Sequence, residues 1–69
     1  MFKLMDVVIV FPKDFSRRSI DSILNYWEAL NIEKHSPFAY SCTLPFFAYE
    51  LAKESSVIKI YLINIIQIE

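Results

Sequence analysis

The chain contains no glycine. Glycine-rich loops that bring backbone amides close to a phosphate are therefore excluded, and any helix stop that needs a left-handed residue must use one that carries a Cβ. Cysteine is nearly absent too. A single Cys cannot form an internal disulfide, the staple of small secreted domains, so the expected setting is intracellular and cytoplasmic. One His beside one Cys cannot build a His/Cys metal cage within one chain, and no cofactor is expected.

Charge of one sign is lacking as well. Seven Lys and Arg against eight Asp and Glu give a net charge of -1, without the basic stripe that neutralising a phosphate backbone requires, so nucleic acid is not expected as a primary partner. The N-terminal MFKLMDVVIVFPKD has no small-residue cleavage site behind its apolar run and does not read as a signal peptide. The most apolar stretch falls short of the ~20 residues of a spanning helix and contains Lys59 and Asn64, so no membrane span is expected.

What is present is apolar. Hydrophobic residues make up 55% of the chain, with six Phe, four Tyr and one Trp. A domain of this size covers only about 60% of the surface its unfolded chain exposes, so part of this content is expected on the outside, where it favours association.

Residues 1–69 read as one domain with no repeat or linker. Phe2 to Phe11 is β-prone, ends at Pro12, and its continuous Val7-Val8-Ile9-Val10-Phe11 run suggests cover on both faces. Ile20, Ile23, Leu24, Trp27 and Leu30 have helical spacing, with Asp14 or Ser16 as the N-cap and Asn31 as the left-handed stop. Thr43, with Leu44 and Pro45 behind it, reads as the cap of a second helix, and Leu44, Phe47, Ala48 and Leu51 as its stripe. The stretch from Glu33 to Cys42 is either loop or a short edge strand at Phe38–Cys42.

The expected fold is α/β or α+β, a small two-layer sandwich with two helices on one face of a two- or three-stranded sheet. Its order is βααβ with antiparallel long strands, or βαβαβ with parallel strands if residues 38–42 are a strand.

The last thirteen residues, VIKIYLINIIQIE, form the most informative segment. As one strand they would span about 40 Å, against a domain diameter of about 28 Å, so the strand must overhang or bend. Strict alternation places Ile58, Ile60, Leu62, Asn64, Ile66 and Ile68 on the core side and Tyr61, Ile63 and Ile65 on the other. The alternative is a strand covered internally and bent at a bulge near Asn64.

Candidate chemistry is sparse. Cys42 precedes the second helix, whose N-terminus would favour thiolate. FAYSCTLPFFAYELAKE resembles the strand, Cys, helix order of thioredoxin-like proteins, with Pro45 where their second Cys would stand. That resemblance implies a thiol-dependent redox role for Cys42, against a plain buried Cys. Lys13, Arg17 and Arg18 cluster at the start of helix one and suit an anion or acidic partner, against a solvated first turn. His35 reads as an exposed loop histidine. Asp6 reads as an edge residue that discourages strand pairing, or as a partner of Lys3 or Lys59. No acid and base pair stands out, and no catalytic residue is assigned. The expected function is a noncatalytic protein-protein interaction module, a small regulator, inhibitor or subunit, that forms a homo-oligomer, most simply a dimer, through Tyr61, Ile63 and Ile65, or else binds a protein partner. A thiol redox protein and an anion binder are the alternatives.

Overall fold

The computed structural model describes residues 2–68. Strand β1 (Phe2–Val10) runs through the middle of the fold. Its β-branched run carries Met5, Val7 and Ile9 on one face, and these are buried together with Phe11. Val8 and Val10 alternate onto the opposite face and are only half-buried, which corrects the reading of a strand covered on both sides.

The chain continues through α1 (Arg17–Tyr26), β2 (Leu30–Lys34), β3 (Ala39–Pro45), α2 (Phe46–Lys53) and β4 (Lys59–Ile68). The sheet has four strands in the order β2-β3-β1-β4, and every neighbouring pair is antiparallel. The result is a small α+β fold. The two- or three-stranded sheet, the βααβ order and the parallel βαβαβ order are all corrected to βαββαβ, the ferredoxin-like sequence of elements. β3 is interior, and β2 and β4 are the edges.

Local chemistry explains most boundaries. Ser16 caps α1, its Oγ accepting the Ser19 N–H at 3.0 Å. The helix stops four residues short of Leu30, at a Schellman turn: Ala29 N–H donates to Leu24 C=O and Glu28 N–H to Asn25 C=O, both at 3.0 Å. The left-handed residue is Glu28, at φ 57°. Asn31 is also left-handed, at φ 52°, but it lies within β2, where the pairing with β3 shifts between Leu30 and Glu33. The expected cap Thr43 and the expected helical Leu44 belong to β3 instead, because Thr43 and Leu44 pair with Asp6 and Met5. Helix α2 starts after Pro45, and no side chain caps it.

Ile20 and Leu24 from α1, Trp27 at its C-cap, and Ala48 and Ala52 from α2 join Met5, Val7, Ile9, Phe11, Tyr40, Cys42, Leu44 and Ile58 in one core. The two helices thus share one face of the sheet, and the other face stays open. Phe47 and Leu51, placed on the buried stripe of the second helix by spacing alone, are exposed.

β4 does not overhang its neighbour. It pairs with β1 along its whole length, from Val10↔Lys59 to Phe2↔Ile68. β3 pairs with β1 no further than Leu4↔Pro45, so the far end is a two-stranded ribbon and the molecule is elongated, 38 × 22 × 19 Å. The register shifts between Asp6↔Asn64 and Val7↔Leu62. Ile63 is therefore the extra residue of a β-bulge, which restarts the alternation of side chains.

A free-edged apolar strand as the candidate interaction surface

The bulge decides which residues share a face. Cross-strand partners project to the same side of a sheet. Before the bulge, Ile60 and Leu62 pair with Ile9 and Val7 on the helix side, and Tyr61 pairs with Val8 on the open side. After it, Ile65 pairs with Met5 on the helix side, while Asn64 and Ile66 pair with Asp6 and Leu4 on the open side. The expected single stripe of Tyr61, Ile63 and Ile65 is thereby corrected: Tyr61 and Ile65 belong to opposite faces. All three are nevertheless exposed, and so are Leu62 and Ile66, which strict alternation had assigned to the core. The five range from 39 to 62% exposed. Ile58 and Ile60, nearer the helices, are buried and half-buried.

The backbone edge of β4 is as exposed as its side chains. Phe11 N–H donates to Phe38 C=O at 2.8 Å, so the odd residues of β1 direct their amides and carbonyls toward β3, and the even residues direct theirs toward β4. Even-numbered Val10, Val8, Asp6 and Leu4 pair with Lys59, Tyr61, Asn64 and Ile66. The backbone groups of Ile60, Leu62 and Ile65 accordingly point away from the sheet. One of them is masked, since the Ile65 N–H donates to Asn64 Oδ1 at 2.9 Å.

The other candidate residues lie apart from this strand. Cys42 sits in the interior of β3, 5% exposed, and pairs with Val7. Burial pushes its thiol up from the usual 9.0 to about 11, and the Asp6 carboxylate adds to the rise. This is the reverse of the thiolate-favouring position expected before a helix, and α2 begins only at Phe46. Arg17 is exposed but lies over Tyr40 from the surface: Nη1 donates to the Tyr40 hydroxyl at 2.6 Å, the guanidinium lies 5.7 Å from the Tyr40 ring centre, and Nε meets Asp21 at 3.3 Å. Lys13 and Arg18 are exposed as well. Arg17 and Lys34 also border a small hollow of about 150 Å³ among Phe15, Ile20, Pro37 and Phe38.

Two polar contacts on the open face carry no sequence signature. Thr43 Oγ1 donates to Asp6 Oδ1 at 2.8 Å, which places Asp6 on a central strand rather than at an edge. His35 is exposed, as its loop context suggests, and its Nε2 lies 2.6 Å from Ser41 Oγ. His35 and Ser41 are six residues apart in the chain, and Asp6 and Thr43 thirty-seven. Only the β2–β3 hairpin and the β1–β3 register bring these residues together. Asp6, Ser41, Thr43, Asn31 and Ile63 line a shallow hollow of about 360 Å³. A serine bonded to a histidine is half of a nucleophile-and-base arrangement. Among the described residues no carboxylate is bonded to that imidazole, and no group of three His, Cys, Asp or Glu side chains is placed to hold a metal. Among the described residues no helix is long and apolar enough to cross a membrane.

Compared with protein-family models, curated proteins and solved structures, the chain matches none.

Proposed function

We propose that this chain is a noncatalytic protein-protein interaction module that self-associates through β4. The supporting observation is the coincidence, on one ten-residue edge strand, of outward-pointing backbone groups and five exposed large apolar side chains. Long apolar edges template strand addition unless they are covered or charged, and Lys59 is the one charge within β4.

The magnitudes fit a reversible dimer. Complete burial of such a side chain contributes ~1.5–3 kcal/mol. These are already about half covered, so roughly 1 kcal/mol each remains to be gained. Two copies together recover on the order of 10 kcal/mol, against an association cost of ~4–15 kcal/mol that backbone pairing must help offset. Such a balance makes the dimer depend on concentration. Sedimentation equilibrium over a wide concentration range tests this: the expected result is a monomer–dimer equilibrium, and a strictly monomeric species at the highest concentration refutes it.

A further inference from the structure

We infer that the bulge at Ile63 fixes the register of the dimer, with Leu62 of one copy opposite the partner's Ile65, and that Asn64 guards this junction in the free chain. The inference rests on the self-association proposed above.

The spacing of outward residues sets the register. An incoming antiparallel strand must meet outward residues with its own outward residues. In a regular strand every second residue qualifies, and many registers satisfy the rule. In β4 the bulge interrupts the series: Ile60 and Leu62 point outward on one side of it, Ile65 and the backbone of Gln67 on the other. An antiparallel copy carries the same interruption in reverse. All four positions find partners only when the two interruptions coincide, with Ile60 opposite the partner's Gln67, Leu62 opposite the partner's Ile65, and the twofold axis passing between Ile63 and Asn64. A slip of one residue sets outward groups against inward ones, and a slip of two leaves outward groups unpaired at the bulge.

The side chains agree with that register. Leu62 and the partner's Ile65 fall on the helix side, next to Val7 and Met5. Tyr61 and the partner's Ile66 fall on the open side as an aromatic and β-branched pair, a favourable cross-strand combination. Such a contact is isologous and closes as a twofold dimer with an eight-stranded sheet, without propagating.

Asn64 adds the guard. The Ile65 N–H it accepts at 2.9 Å is an outward donor needed at the centre of this junction. Pairing must exchange that bond for one to the partner's Leu62, so the bond holds back strand addition while the chain is alone.

A nitroxide at position 59, introduced by Lys59→Cys with Cys42→Ala, tests the register by dipolar distance measurement. In the register given, the two labels are offset by about nine residues, roughly 30 Å at 3.3 Å per residue, and a two-residue slip moves the distance by about 7 Å. A dimer near 30 Å supports the inference. A dimer at a clearly different distance overturns the register and leaves self-association standing, whereas a monomer at high concentration overturns both. Leu62→Pro removes one outward N–H that the intrachain ladder does not use and should abolish the dimer while far-UV circular dichroism stays unchanged. If that variant does not fold, Asn64→Ala serves instead: it should tighten the dimer several-fold, and an unchanged or weaker dimer removes the guard.

Discussion

Glu28 is the position where a single substitution should stabilise this protein. It holds φ 57°, a left-handed conformation that costs an L-residue about 1–2 kcal/mol through the approach of Cβ to the following carbonyl. Glycine avoids that clash and is the usual residue at this place in a Schellman turn. Its greater freedom in the unfolded chain returns roughly 0.5–1 kcal/mol of the gain. The Glu28 side chain is exposed and forms no hydrogen bond or ion pair among the described residues, so its removal takes away nothing else. Glu28→Gly should therefore stabilise the fold by about 0.5–1 kcal/mol, which raises the melting temperature by roughly 2–8 °C for a domain of this size. Thermal denaturation followed by circular dichroism at one low protein concentration is the assay, because self-association would otherwise add a concentration-dependent term. Glu28→Ala is the control: it removes the same side chain but keeps the Cβ, and should stay within about 0.5 kcal/mol of the parent. If Glu28→Gly melts at or below the parent while Glu28→Ala matches it, the left-handed strain assigned to Glu28 is wrong.

Two further expectations follow from the core. Between pH 9.0 and about 11 the unfolded chain loses the Cys42 proton while the folded chain keeps it, so stability should fall as pH rises through that window, by roughly 2–3 kcal/mol. Urea denaturation at pH 8 and pH 10.5 should show a smaller alkaline loss in Cys42→Ala than in the parent, and equal losses would contradict the burial of this thiol. Arg17→Ala should cost about 1–2 kcal/mol through the lost Tyr40 hydrogen bond and ring contact, Arg17→Lys should restore little of it, and Arg18→Ala should be neutral. Equal effects at Arg17 and Arg18 in urea titrations would argue against a stabilising contact between Arg17 and Tyr40.

The sequence made some elements legible and concealed others for definite reasons. β1 is readable because its β-branched run ends at Pro12, and α1 begins where Ser16 offers a cap. The end of α1 is concealed because Leu30 continues the helical spacing past Trp27, and because the residue that turns left-handed is Glu28, with no local preference for doing so. β2 escapes because it is only five residues long and its alternating Leu30 and Ile32 lie where the helical spacing and the expected stop at Asn31 also run. β3 is misread where Thr43, Leu44 and Pro45 imitate a helix start. The exposure of Tyr61, Ile63 and Ile65 is readable from the excess of apolar residues. The roles of Leu62 and Ile66 are not, because a bulge is one extra residue and leaves no mark on composition. The Asp6–Thr43 and His35–Ser41 contacts are products of strand pairing alone.

The position of β1 also sets the order in which the molecule can assemble. It is the first strand along the chain, yet it ends between β3 and β4, and its final neighbour comes from the opposite end of the described residues. Such distant pairings must close long loops before they return any energy, which slows folding relative to helical domains of the same length. Until β4 arrives, the even-numbered backbone groups of β1 stand open to any other strand nearby. During synthesis the apolar segment around Val8 and Val10 is therefore the part of the chain that depends most on the prompt arrival of β4, or on a chaperone that shields it meanwhile.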